Sequence, residues 1–159
     1  MFAGRHQQLA DLEEAYGVFV ECVTGLSREG FLESLGDWAP RDIVAHFIGW
    51  NRITSVGCGE IREGVEPLYF HDGTNDYREV NAAFLRRFSS NDREVLLRQM
   101  AATKDALISY LRMVDEDEWE RDTGVVHYRG GVASVARCVD SLIRDYGKHR
   151  EEIAGSTKV

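Results

Sequence analysis

Proline is scarce in this sequence, and long apolar runs are missing. Proline breaks helices, so the presence of only two among 159 residues favours an all-helical fold. No apolar run is long enough to cross a membrane, and residues 1–10 contain no apolar segment of the secretory type. We therefore expect neither a membrane-spanning nor a secreted protein, and no membrane partner.

Cysteine is also scarce, with three residues in the sequence. Cys22, Cys58 and Cys138 are odd in number, widely spaced and without a CxxC pair. This pattern favours reduced thiols and a cytoplasmic location over a disulfide framework. We expect Cys22 and Cys138 to lie in the core. Cys58 stands between Gly57 and Gly59 and is a candidate for an exposed thiol.

Basic residues are outnumbered, with 19 Lys and Arg against 27 Asp and Glu, which gives a net charge of -8. A nucleic-acid-binding surface needs clustered Lys and Arg, so this balance predicts no nucleic-acid partner. The sequence also contains no nucleophile elbow, phosphate loop or dinucleotide-binding motif. What remains is an ordinary globular composition with 43% hydrophobic residues.

Apolar residues recur in steps of three and four along four long segments, which is the spacing of amphipathic helices. The predicted long helices cover about residues 5–26, 40–55, 91–113 and 132–153. A shorter helix is predicted over 75–88, within the connection between the second and third long helices. The sequence thus predicts an all-α four-helix bundle, formed by a single domain over residues 1–159.

The second long helix carries a histidine close to its apolar face. Pro40 suits its first position, Asp42 suits its first turn, and Ile43, Phe47 and Trp50 make the face. His46 is three residues after Ile43 and four before Trp50, so it points inward. A buried imidazole needs a polar partner.

A candidate for that partner lies on the fourth long helix. Asp145 and His149 are four residues apart, which places them one turn apart on the same side of the helix. Together with His46 they would make a three-ligand metal site with open positions for water or substrate. Two imidazoles and a carboxylate suit zinc, nickel, ferrous iron or manganese. Alternatively, Asp145 pairs with Lys148 or Arg144 in solvent, and His46 is a hydrogen-bonded core histidine.

A shared ion constrains the bundle topology. His46 is near the start of its helix, whereas His149 is near the end of the last one. The two meet most easily if these helices are antiparallel, which predicts an up-down-down-up order. The long link between residues 57 and 90 would then cross the bundle.

The spacing WxxxDxxxH, written here as Trp38, Asp42 and His46 within PRDIVAHFIGW, resembles the second helix of the DinB/YfiT-like superfamily of metalloenzymes. That group includes low-molecular-weight-thiol S-transferases and the metal-binding domain of mycothiol-dependent maleylpyruvate isomerases. The resemblance implies a divalent metal held by His46 and by an HxxxH or ExxxH pair on the fourth helix. His149 matches that pair, while Asp145 is a shorter carboxylate than the glutamate of the acidic version.

Other residues are weaker candidates for a substrate pocket. Trp50 and Tyr146 are one turn from predicted ligands, although aromatic residues at helical spacing are more often core. His71 lies in an irregular loop that could reach the bundle mouth. His127 precedes the fourth helix and could bind an anion there, against the simpler interpretation of an ordinary polar loop.

Three functions remain open from the sequence. The leading one is a metal-dependent enzyme acting on a small molecule, either a hydrolase or a low-molecular-weight-thiol S-transferase or isomerase. Its ion would lower the pKa of a bound water or thiol. The second is a non-catalytic bundle that binds or sequesters a small molecule or toxin. The third is a structural bundle that forms a homodimer through an apolar helix face.

Overall fold

The computed structural model describes residues 2–156, and its fold is built from helices. They are α1 (Arg5–Thr24), α2 (Arg28–Leu32), α3 (Pro40–Arg62), α4 (Arg78–Phe88), α5 (Arg93–Arg112), α6 (Glu116–Trp119) and α7 (Val135–Ser156), with 3-10 turns at Leu68–His71 and Asn75–Tyr77. Within residues 2–156, strand-type pairing is limited to one isolated bridge between Val126 and Val132. The all-α prediction is confirmed. None of these helices is long and apolar enough to cross a membrane.

Two of the long helices, α3 and α5, begin at side chains that cap their free amide groups. Pro40 is the first residue of α3, and the Asp42 carboxylate accepts a hydrogen bond from the backbone N–H of Ala39 at 2.9 Å. Asp92 directly precedes α5, and its carboxylate accepts from the backbone N–H of Val95 inside the helix at 3.2 Å. These caps satisfy amide donors that would otherwise lack a partner at each helix start.

Contacts between the long helices give their relative directions. α1 and α7 run the same way, because Gln8 donates to the carbonyl of Ala136 near one end and Cys22 lies against that of Arg150 near the other. α5 begins where α1 ends, since Arg93 donates to the carbonyl of Leu26.

α3 and α5 also run the same way, as Asn51 donates to Thr103 and, further along both helices, Arg62 donates to Tyr110. The four long helices therefore run up, down, down and up. α3 is antiparallel to α7, and this brings the start of α3 beside the second half of α7.

α3 is longer than the sequence analysis predicts, because Gly57 and Gly59 do not end it. Packing explains why glycine occupies position 57: a Cβ there would be only 2.8 Å from the ring of Tyr69. The same region corrects the expectation for Cys58, which is fully buried rather than exposed. It lies beside Cys138 of α7, between the two antiparallel helices.

Candidate metal centre

Three side chains from two helices converge at the start of α3. His46 comes from α3, and Asp145 and His149 come from α7; one donor atom from each lies within 4.8 Å of the other two. The Nε2 atoms of His46 and His149 are 2.8 and 3.3 Å from the two carboxylate oxygens of Asp145. Both histidines are buried. The structure thus brings together the three residues that the sequence analysis selected as ligands.

Each imidazole is oriented by a partner on its other nitrogen. Oδ1 of Asn81, on α4, accepts from Nδ1 of His46 at 3.0 Å and from Nε1 of Trp50 at 2.7 Å. A carboxylate oxygen of Glu152 accepts from Nδ1 of His149 at 3.0 Å. Both acceptors are oxygens, so in each ring Nδ1 carries a proton, and Nε2 faces Asp145. This is the arrangement that metal-binding histidines adopt.

The charges of the cluster are mutually dependent. Burial raises the pKa of the Asp145 carboxyl, but hydrogen bonds from His149 and His46 outweigh burial and hold that pKa below its usual range. Burial likewise lowers the pKa of His149, and its hydrogen bonds to Asp145 and Glu152 reverse the shift and raise that pKa. The carboxylate therefore stays ionised and favours a cation between it and the two rings.

The donor set is suited to a divalent ion. Two imidazole nitrogens and one carboxylate oxygen are ligands for zinc, nickel, iron or manganese. The shorter aspartate is no obstacle, because Asp145 already contacts both rings. Three protein donors leave further coordination positions free, as catalytic sites require. These residues could hold a metal ion, and protons on the imidazoles are the alternative source of positive charge.

A cavity of about 560 Å³ opens beside the cluster. His46, Asp145 and His149 line part of it, and Trp50, His127 and other aromatic rings line it together with polar residues such as Ser141 and Lys148. Burial, followed by the nearby arginines 137 and 129, lowers the pKa of His127 to about 4, so this ring is neutral. A neutral imidazole does not provide the charge that an anion site would need.

The other two pocket candidates lie outside the cavity lining. Tyr146 is fully buried, stacks on Phe47 with 3.9 Å between ring centroids, and donates its hydroxyl to Asn51 at 3.0 Å. His71 is exposed and lies 3.8 Å from the carboxylate of Glu66. Tyr146 thus contributes to the core under the cluster, and His71 to the protein surface.

Three residues that contact the imidazoles were not assigned to the site in the sequence analysis. Trp38 covers the two imidazoles, with its ring centroid 5.0 Å from that of His46 and 5.9 Å from that of His149. Glu152 is three residues after His149, so helical spacing alone could have found it. No sequence signal identifies Asn81, because its position depends on how α4 packs against α3.

The chain matches no family model and no curated protein. It does resemble solved structures. A Streptococcus pneumoniae protein aligns over 100% of this chain and 93% of its own, with a TM-score of 0.78 and 13% identity. The colibactin self-resistance protein ClbS, solved in complex with a dsDNA, aligns over 98% and 96%, with a TM-score of 0.79 and 15% identity.

A third structural neighbour is the mycothiol-dependent maleylpyruvate isomerase, with a TM-score of 0.71 and 17% identity. The match covers 95% of this chain but 61% of the isomerase. At these identities the likeness establishes the fold and leaves activity open.

The ClbS complex corrects one expectation. The sequence analysis excluded a nucleic-acid partner on the basis of net charge, and that exclusion is wrong, because a protein of this fold has been solved with double-stranded DNA. Net charge describes the whole chain, whereas binding depends on the local distribution of charge over a surface. Both ClbS and the isomerase have the DinB/YfiT-like fold. This chain has the same fold, so the resemblance to the DinB/YfiT-like superfamily is confirmed at the level of the fold.

Proposed function

We propose that the protein is a metal-dependent enzyme of the DinB/YfiT type that acts on a small molecule. Its activity would be that of a hydrolase or of a low-molecular-weight-thiol S-transferase or isomerase. The observation that carries this proposal is the convergence of His46, Asp145 and His149 beside a 560 Å³ cavity, with each imidazole Nδ1 already engaged. We assign these three residues as ligands of a divalent ion, with zinc or nickel preferred over iron or manganese.

The surrounding residues fit that role. When bound, a divalent ion supplies a Lewis acid that lowers the pKa of a water or thiol. Asn81 and Glu152 accept hydrogen bonds from Nδ1 of the two imidazoles, so Nε2 of each ring faces Asp145 and would bind an ion in place of a proton. Trp38 covers the rings and limits the access of bulk water to them. The three free cysteines of the described chain are in keeping with a cytoplasmic location.

The two named structural neighbours support different candidate functions, the enzyme and the binding protein. The isomerase is mycothiol-dependent, which favours a thiol co-substrate. ClbS is a self-resistance protein, which favours the second candidate, a bundle that binds or sequesters a small molecule in the same cavity. Only the enzyme needs the ion for its activity, so metal dependence separates the two. Double-stranded DNA belongs among the ligands to be tested.

The ligand assignment predicts a ranking of metal retention. His46→Leu and His149→Leu should each remove one imidazole and lose most bound metal, since two ligands are too few for tight retention at an open site. Asp145→Asn should be milder, because its amide oxygen still coordinates weakly. The measurement is metal content per chain by mass spectrometry, after purification without a metal-affinity column and dialysis against each candidate ion.

A matched control is available on α1. His6 is exposed and outside the cavity, so His6→Leu should retain metal like the wild type. Circular dichroism should show the same helicity in all variants. Unchanged metal content in both cluster histidine variants would contradict the proposal. Metal-dependent turnover of an electrophile with a low-molecular-weight thiol, absent in the metal-free protein, would support the enzyme over the binding protein.

A further inference from the structure

Beside the cluster of His46, Asp145 and His149, the cavity is lined by several aromatic rings. We call Trp50, Tyr69, Phe70, Tyr77 and Tyr128 the aromatic wall; all five line the cavity. They come from α3, from the turns after it and from the loop before α7, so three separate parts of the chain supply rings to one surface.

The rings of the aromatic wall contact one another in edge-on or tilted arrangements. The ring centroid of Tyr77 lies 5.1 Å from that of Trp50 and 4.5 Å from that of Tyr128. The centroid of Tyr69 lies 5.4 Å from that of Trp50. Phe70 is buried like a core aromatic residue, but Tyr128 is 39% exposed and Trp50, Tyr69 and Tyr77 are only half-buried. The aromatic wall therefore leaves ring surface available to a ligand.

The backbone is strained at the point where it delivers Tyr77. Asp76 and Tyr77 have φ values of 52° and 56°, a left-handed conformation that is unfavourable for residues other than glycine. Arg129 holds this segment through a 2.6 Å ion pair with Asp76, and Asn81 donates to the Asp76 carbonyl at 3.1 Å. These contacts stabilise the conformation that places Tyr77 between Trp50 and Tyr128.

The aromatic wall and the metal cluster are physically connected. Trp50 belongs to the wall, and its indole N–H shares the Asn81 oxygen with the cluster residue His46. A ligand ring against Trp50 would therefore lie next to the cluster, since the ring centroids of Trp50 and His46 are 6.3 Å apart. The volume of about 560 Å³ is in the range of small-molecule sites and exceeds what an ion and its waters need.

We propose that the aromatic wall binds the planar ring of an aromatic small molecule, whose reacting substituent then reaches His46, Asp145 and His149. This substrate class rests on the proposed function for the identity of the reacting end. Binding of the ring does not require the ion. Aromatic rings attract a planar aromatic ligand through offset-stacked and edge-to-face contacts that a saturated ligand of equal carbon skeleton cannot make.

A matched pair of probes tests the contribution of the ring. Naphthalene-2-carboxylate and decahydronaphthalene-2-carboxylate have the same carbon skeleton and charge, but only the first is planar and aromatic. Titration calorimetry with chelator-treated wild-type protein should show about fivefold tighter binding of the aromatic probe. Equal affinities for the two probes would overturn the inference.

Variants locate the preference at the aromatic wall. Tyr128→Leu and Tyr77→Leu each remove one ring from the wall and should reduce the preference to about twofold. Phe88→Leu is the control, because Phe88 lies outside this cavity, beside the side chains of Arg52 and Arg87. It should keep the full preference, and an equal loss in this control would overturn the assignment.

Two further measurements separate the possible failures. In His149→Leu the ring preference should persist although metal is lost. A wild-type protein that keeps no metal but prefers the aromatic probe would refute the proposed function alone, whereas one that keeps metal without the preference would refute this inference alone. A short DNA duplex that displaces naphthalene-2-carboxylate would also refute it, since the cavity would then belong to a DNA-binding surface and not to a small-molecule site.

Discussion

At the scale of single residues, one amide oxygen supports both the metal cluster and the aromatic wall. Oδ1 of Asn81 accepts hydrogen bonds from His46 and from Trp50. Its loss would free the His46 ring to rotate and would leave the Trp50 N–H without its acceptor. Outer partners of this kind commonly change metal affinity by about 10- to 100-fold.

Asn81→Leu is therefore expected to weaken metal binding by about tenfold or more while helicity is preserved. Asn81→Asp, which keeps an oxygen acceptor, should retain most of the affinity. Competition titrations against a coloured chelator measure the dissociation constant of the metal for each variant. Asn91→Leu, at an exposed position before α5, is the control. Wild-type affinity in Asn81→Leu would show that the asparagine does not orient the ligand.

At the scale of helices, the position of Asn81 depends on how closely α4 approaches α3. Gly49 of α3 lies directly under the ring of Phe84, and a Cβ at position 49 would overlap that ring. The missing side chain thus allows α4 to lie close enough for Asn81 to reach His46.

Gly49→Ala should accordingly displace α4, lower the free energy of unfolding by about 1–3 kcal/mol and weaken metal binding. Gly17→Ala on α1 is a suitable comparison, since nothing lies within 4 Å of its added Cβ. That change should instead stabilise the protein by about 0.5–1 kcal/mol, because alanine has a higher helix propensity than glycine. Urea denaturation measures the free energy of unfolding of both variants. A change of the same sign in the two variants would refute the close-packing argument.

The same helices show what the sequence could and could not predict. Helical periodicity is a local property, so it placed His46 and His149 on inward faces and Asp145 one turn from His149. The choice of these three as one ligand set also needed the resemblance of the WxxxDxxxH segment to the DinB/YfiT-like superfamily. The continuation of α3 through Gly57 was not predictable, since tertiary packing against Tyr69 outweighs the low helix propensity of glycine. The role of Asn81 likewise depends on contacts between segments far apart in the chain.

At the scale of the whole molecule, the cluster links stability to pH. In the metal-free protein the lowered pKa of Asp145 contributes stability above about pH 4 that is lost as the pH falls. The raised pKa of His149 contributes stability below about pH 6.5 that is lost as the pH rises through its folded value. Both contributions are present together between these limits.

The stability that a bound ion adds should instead increase as the pH rises, because the ion competes with protons for the imidazoles. We expect the difference in Tm between metal-loaded and metal-free protein to be larger at about pH 8 than at about pH 5.5. Scanning calorimetry at the two pH values checks this. A difference that shrinks with rising pH would show that the ion does not use the histidines. In His149→Leu, adding metal should change the Tm little at either pH.

The arrangement of α1 beside α7 also has a kinetic consequence. Gln8 and Ala136 touch although 128 residues separate them, and His46 and Asp145 are 99 residues apart. Such contacts carry a large loop-closure entropy and form slowly, whereas α3 and α5 meet across a shorter stretch of chain. A chain still emerging from the ribosome has no complete donor set until α7 has been synthesised and docked. The proposed ligands His46, Asp145 and His149 therefore come together only after the last helix of the bundle has been made.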